Sequence, residues 1–379
     1  MPRRLTITVP SLSLGGAEGV AAMMANHWAQ EGETVTLITL DSAETDTFQL
    51  SELVQRHALG LMQDSNHLWQ AVYNNWYRIK KLREAISQSK PDVVISLTDR
   101  MNVLTLLASH KSKWPVLISE RSDPRHHPMG RLWSALRKFM YPRATAVVVQ
   151  TEGVADYFRE WLKSTLIEVI PNAVPAPRSP DVHVVTEQDV LERSPSHLIY
   201  GMGRLSYEKG FDLLIDAFSL LAHDFQEWNL RILGEGPLRD SLQATINERE
   251  LQEQIELTGW VTDPELYLDQ GAIFVLPSRY EGFPNALLQA MSRGLACAGF
   301  DCKGALADIA REELQVTLLP TKDASESTSI RELADLLRAY MQDENLRKEV
   351  AIKNLHATER FSIARYFESW DELINQAIS

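Results

Sequence analysis

The sequence predicts an α/β chain made of two doubly wound parallel sheets in succession. Three observations carry that reading. Short β-branched runs alternate with helix-length stretches, a proline-rich polar segment interrupts the alternation near the middle, and a second series of the same kind follows it. Apolar strands separated by helical crossovers belong to sheets covered on both faces. A chain of 379 residues is long enough for two or three domains.

The first series consists of residues 5–10, 34–40, 92–97, 116–119, 146–150 and 167–171. The stretch 171–196 then carries five prolines among polar residues and stops the sheet. Residues 197–205, 229–236, 255–260, 272–278 and 295–300 form the second series. Between its first two strands, Phe211, Leu214, Ile215, Phe218 and Leu221 recur at helical spacing and predict a buried stripe. Residues 361–379 read as a last amphipathic helix. The expected division is a domain at 1–175, a linker at 176–195, a second domain at 196–360 and the terminal helix at 361–379.

Charge and cysteine usage narrow the function classes. Lys and Arg number 38 against 51 Asp and Glu, a net charge of −13, which argues against nucleic acid as a partner. The imbalance is uneven: residues 1–180 hold 20 basic and 17 acidic side chains, so the acidity lies in the remainder. Cys297 and Cys302 are the only cysteines and lie five residues apart, a pattern of a reducing, cytoplasmic compartment. The apolar start is broken by Thr, Ser and Pro and reads as a first strand, not a signal peptide. No run of about 18 apolar residues predicts a spanning helix.

The motifs fall at strand ends. The first turn reads Gly15-Gly16-Ala17-Glu18-Gly19, without the G-x-G-x-x-G spacing of a dinucleotide site, and no P-loop is present. Two readings fit those glycines, a tight βα turn or an anion site at a helix N-terminus. Gly203-Arg204-Leu205 through Lys209-Gly210 closes one strand, placing a guanidinium and an ammonium at the carboxyl edge of a sheet. They suit a diphosphate, or they are solvated bases beside Glu208. Gly234-Glu235-Gly236-Pro237 makes another sharp turn. Ser278 through Met291 predicts a helix beginning at Pro284 or Asn285, its first amides free for phosphate.

Taken in order, these pieces, with Ile170-Pro171-Asn172, resemble family 4 type retaining glycosyltransferases, the group 1 glycosyl transferases of GT-B architecture. The resemblance covers about residues 5–310. It implies two Rossmann-like domains facing each other across a cleft, with the C-terminal helix around Trp370 crossing back to the N-terminal domain. By position it assigns Arg204 and Lys209 to the diphosphate of a nucleotide sugar and Glu281, first acid of an E-x7-E signature, to the sugar; these three are the expected catalytic residues. Gly16, Gly203, Gly236, Gly282, Phe283, Asn285, Ala286, Leu287 and Gln289 complete the expected donor site, and Gly15, Glu120 and Arg121 the acceptor side.

Two positions depart from the pattern. Gln289 stands where the second acid would meet a ribose; its carbonyl can accept from a hydroxyl, but it brings no charge. On that ground Gln289→Glu is expected to bind nucleotide equally or more tightly. Glu120 stands where many relatives place a histidine, and His126 and His127 nearby read as surface loop residues. Between Arg121 and Arg143 six bases face Asp123 alone, interleaved with Trp133, Leu136, Phe139, Met140 and Tyr141. That segment reads either as a contact with an anionic membrane or as a packing helix with a solvated basic face.

The resemblance thus implies a metal-independent, retaining enzyme with no cofactor. It would move a hexose or N-acetylhexosamine from a nucleotide-diphosphate sugar, on common usage UDP-linked, to a glycan or lipid-linked glycan. The open alternatives are a nucleotide-sugar-binding protein with little activity, and a nucleotide-sugar epimerase or phosphorylase.

Overall fold

The computed structural model describes residues 2–13, 15–62, 68–127, 129–174, 182–301, 309, 317–320 and 326–379. The chain forms two compact units, Met1–Ile170 with Glu368–Ser379, and Pro171–Phe367. Cys302 and residues 176–181 of the expected linker lie outside the described residues.

The first unit runs β1 (Arg4–Val9), α1 (Gly16–Gln30), β2 (Thr34–Thr39), β3 (Gln55–Ala58), α2 (Leu68–Ser89), β4 (Val93–Leu97), α3 (Asp99–Ala108), β5 (Val116–Ser119), α4 (Arg131–Met140), β6 (Ala146–Val149), α5 (Glu152–Trp161) and β7 (Leu166–Val169). The strands order as β3-β2-β1-β4-β5-β6-β7. Pairing is parallel, with Leu5 between Val35 and Val93. Leu5, Ile7, Val9, Val93 and Ile95 are fully buried, as strands covered on both faces must be. β3, with the sequence Gln-Arg-His-Ala, lacks that apolar signature and was not expected.

The second unit contains α6 (Glu187–Glu192), β8 (Leu198–Met202), α7 (Phe211–Ser219), β9 (Asn229–Leu233), α8 (Arg239–Glu248), β10 (Ile255–Gly259), α9 (Pro264–Leu268), β11 (Ile273–Leu276), α10 (Asn285–Ser292), β12 (Ala296–Asp301), β13 (Thr317–Pro320), α11 (Glu326–Gln342) and α12 (Glu344–Ala357). Its strand order is β10-β9-β8-β11-β12-β13, with every pair parallel. The predicted stripe Phe211, Leu214, Ile215, Phe218 and Leu221 is buried in its core. Cys297 is buried in a second apolar cluster of the unit, and burial pushes its thiol pKa up, which keeps it protonated and unreactive.

The proline-rich stretch is not all linker. Thr186 and Asp189 form a capping box at the start of α6, and Val185 and Val190 pack against Ala351 and Leu355 of α12. Residues 185–190 therefore belong to the second unit.

A final helix, α13 (Ile363–Ile378), begins in the second unit and ends in the first. In the first unit, Trp370 meets Trp28 of α1 edge-on at 6.5 Å between ring centroids. Asp371 accepts from Trp28 Nε1 at 3.1 Å and from Arg3 at 2.8 Å. No helix among the described residues is long and apolar enough to cross a membrane.

Candidate functional site

In an open parallel sheet, ligands bind beyond the carboxyl ends of the strands where the strand order reverses. In the second unit that point lies between β8 and β11, since β9 and β10 extend the sheet one way from β8 while β11 takes its other side. The segments leaving these two strands are 203–210 and 277–285, which hold the sequence-predicted bases and Glu281.

The backbone brings the two segments together. Gly210 has φ +64°, and a Cβ on it would lie 2.0 Å from the carbonyl oxygen of Pro277. A Cβ on Gly236 would lie 2.4 Å from the Leu205 carbonyl oxygen, so this glycine serves close backbone approach between the β8 and β9 turns. Gly203 donates its N–H to the Leu233 carbonyl at 3.0 Å.

On that frame Lys209 Nζ donates to both oxygens of Glu281, at 2.7 and 2.9 Å, and Ser278 Oγ donates to Glu281 Oε1 at 2.6 Å. The Glu281 side chain is 6% exposed and that of Lys209 25%. An acid and a base are thus already matched at the strand ends. Arg204 is exposed on the same turn; its carbonyl oxygen accepts from Ser206, while its side chain makes no hydrogen bond or ion pair with the described residues. α10 starts beside them with no side-chain cap, which leaves the positive end of its dipole toward the site.

The other predicted donor residues divide by environment. Gly282 and Ala286 are half-buried, while Phe283 and Leu287 are buried in the core, Phe283 edge-on to Phe361 at 6.2 Å. Asn285 Oδ1 accepts from Asn172 at 2.7 Å, tying α10 to the start of the unit. Gln289, half-buried on the next turn, donates its amide to Glu265 of α9 at 2.6 Å. Sequence reasoning did not connect Glu265 with it, because 24 residues and a strand separate them.

Arg279 was also missed, although it lies inside the motif. It bonds both oxygens of Asp212 at 2.9 and 2.6 Å, reaches Glu326 and the Tyr207 carbonyl at 2.9 Å, and stacks 4.2 Å over the Tyr207 ring. These bonds hold its pKa above the usual arginine range against the opposing effect of burial. Arg279 clamps the 207–212 turn to the end of β11, so Lys209 faces Glu281.

In the first unit the Gly15-Gly16 turn starts α1, but Glu18 folds back over it. A Cβ on Gly15 would lie 2.1 Å from Glu18 Oε2. The anion at this helix N-terminus is therefore the chain's own carboxylate in this structure.

Glu120 corrects an expectation. Its side chain has no exposure and lies inside the unit, ion-paired with Arg137 at 3.2 Å and accepting from the Tyr141 hydroxyl and from Asn102. It is not a surface contact for an acceptor. Arg121 beside it is half-buried near Ser119 Oγ at 3.5 Å, and His126 and His127 are exposed. The same ion pair turns Arg137 inward, so the exposed face of α4 carries Arg131, Lys138, Leu132 and Phe139 but not Arg137.

Burial raises the Glu120 pKa to about 7, against the Tyr141 hydrogen bond and the Arg137 charge, which lower it. A carboxyl that keeps its proton longer folded than unfolded stabilises the fold at low pH, and that contribution is lost as pH rises from about 4.5 to about 7. The melting temperature of the native protein minus that of Glu120→Gln is expected to fall between pH 5 and pH 7.5. A difference that stays constant or grows would refute the raised value.

The comparisons with known proteins give the family and the fold. Residues 186–354 match the family described as glycosyl transferases group 1, and residues 15–173 match the glycosyl transferase 4-like domain. One curated relative is a Campylobacter jejuni alpha-1,4-N-acetyl-D-galactosaminyltransferase acting on a GalNAc-GalNAc-diNAcBac-PP-undecaprenol, 24% identical over 98% of both chains. Another is the amylovoran biosynthesis glycosyltransferase AmsD of Erwinia amylovora, 24% identical over 98% of this chain and 99% of that one. Among solved structures, sucrose-phosphate synthase from Thermosynechococcus elongatus superposes with a TM-score of 0.79 at 15% identity over 98% of both chains. Anabaena Alr3699/HepE in complex with UDP gives 0.76 at 16% identity over 98% of this chain and 100% of that one.

Proposed function

The chain belongs to the group 1 glycosyl transferases, of family 4 type and GT-B fold, which places it in polysaccharide or glycoconjugate biosynthesis, and from that premise we propose a retaining, metal-independent transfer from a UDP-hexose or UDP-N-acetylhexosamine to a lipid-linked glycan. The observation that carries the donor reading is the Lys209–Glu281–Ser278 cluster at the point of strand reversal, beside the uncapped start of α10. UDP is supported by the solved neighbour that holds it, and the lipid-linked acceptor by the Campylobacter relative.

In this reading the bond between the sugar C1 and the diphosphate oxygen breaks as C1 bonds to an acceptor hydroxyl on the same face. The hydroxyl proton leaves with the departing diphosphate. Negative charge grows on that diphosphate, and Arg204, Lys209 and the amides of α10 are the groups that answer it. Glu281 holds the ammonium in place before the donor arrives and then presents a carboxylate oxygen to sugar hydroxyls. With two cations and a helix dipole on the leaving group, the reaction needs no divalent ion.

Calorimetric titration with UDP, GDP and ADP, each with and without EDTA, is the first test. UDP is expected to bind selectively and without regard to the chelator. Incubation with UDP-sugars and a polyprenyl-diphosphate-linked glycan should then yield product with the anomeric configuration of the donor. Loss of binding in EDTA, or an inverted product, would overturn metal independence or retention, and a sugar product formed from donor alone would favour an epimerase.

A further inference from the structure

The amide at position 289 has a partner whose chemistry explains it. Glu265 on α9 is 3% exposed. Its Oε1 accepts from Gln289 Nε2 at 2.6 Å, and its Oε2 is buried with no hydrogen-bond partner among the described residues. A buried carboxylate oxygen left unsatisfied is unfavourable and calls for an explanation. A carboxylate can only accept, so it fixes which end of the Gln289 amide faces it. The nitrogen turns toward Glu265, and the Gln289 carbonyl oxygen, unbonded to any described residue, turns away.

We propose that Glu265 is the positioning residue of the nucleotide site: it orients the Gln289 amide so that its carbonyl oxygen accepts from a ribose hydroxyl. This rests on the nucleotide-sugar reading above. Glu265 and Gln289 then act as one unit, with the acid on α9 and the neutral acceptor on α10. The charges that follow these two helices, Asp269 after α9 and Arg293 after α10, pair with each other at 2.6 Å, and among the described residues the Glu265 carboxylate is bonded by Gln289 alone.

The pair reverses what position 289 suggests by itself. A glutamate there would set a second carboxylate at hydrogen-bond distance from the first, and the two repel each other unless they share a proton. Gln289→Glu is therefore expected to weaken UDP binding at pH 8 by about tenfold and to recover near pH 5, where the two acids share a proton. Glu265→Gln removes the constraint on the amide and should weaken UDP several-fold while leaving 2′,3′-dideoxy-UDP unchanged. The double variant Glu265→Gln with Gln289→Glu restores one donor facing one acid and should return UDP binding to within about threefold of the native protein.

The test is calorimetry of the three variants and the native protein with UDP and its dideoxy analogue at both pH values, together with melting temperatures without nucleotide. Gln289→Glu binding UDP as tightly as the native protein at pH 8, or no rescue in the double variant, overturns the proposal. The melting temperatures separate the two levels of the argument. If the native protein binds no UDP, the ribose role falls with the nucleotide reading. A melting loss of Gln289→Glu at pH 8 that is absent at pH 5 and repaired by Glu265→Gln still establishes the pair.

Discussion

Lys209→Ala is expected to slow sugar transfer by about a hundredfold, roughly 2.7 kcal/mol, and Arg204→Ala by at least about tenfold. The difference follows from position. Arg204 is exposed and loses only its own charge on the departing diphosphate. Among the described residues Lys209 is also the one base on Glu281, whose side chain is 6% exposed, so its removal leaves a buried carboxylate with Ser278 as its remaining described partner. Removing one member of a buried pair is more damaging than the worth of the pair itself. Lys209→Ala should thus lower the melting temperature as well as the rate. Adding Glu281→Gln to it should recover the melting temperature and not the rate, because the lost charge on the leaving group is not replaced. Near-normal rates in both single variants would remove these bases from the reaction.

Gly210→Ala is expected to damage the second unit severely. The residue sits at φ +64°, where an alanine is disfavoured by about 1–2 kcal/mol, and its new carbon would lie 2.0 Å from a backbone oxygen that cannot rotate away. Relief requires the 207–212 turn to leave the end of β11, against the hold of Arg279. A loss of about 10 °C in melting temperature and of nucleotide binding is the outcome to look for by circular dichroism and calorimetry. Gly32→Ala is the control: Gly32 also has positive φ, +88°, but nothing lies within 4 Å of its Cβ position. Equal losses in the two variants would mean that strain in φ, not the closeness of the two strand ends, sets the effect.

The strands and the α7 stripe could be read from the sequence because a buried parallel strand must be apolar along its whole length and a packed helix must repeat every three to four residues. β3 could not, since Gln55, Arg56 and His57 lie half or fully exposed at the edge of the sheet and need no such pattern. Lys209 and Glu281 were legible as members of motifs. Their contact, and the parts played by Arg279 and Glu265, were not, because Asp212 and Gln289 reach them across separate elements and leave no local spacing. Glu120 was placed on the acceptor side by its position in the family pattern, and a position along the chain says nothing of whether a side chain turns inward toward Arg137.

The return of α13 to the first unit has a consequence for how the protein is made. Trp28 and Arg3 find Trp370 and Asp371 only after the 197 residues of Pro171–Phe367 have been translated. At about 5–20 residues per second that is a wait of roughly 10–40 s. Over that interval the emerging first unit lacks the Trp370 ring and the Asp371 carboxylate that meet the indole of Trp28, and the second unit has the whole of its chain available to fold before the first is closed. A nascent chain stalled before residue 368 would therefore carry the Trp28 indole without its last partners, an opening for chaperones that the finished protein closes.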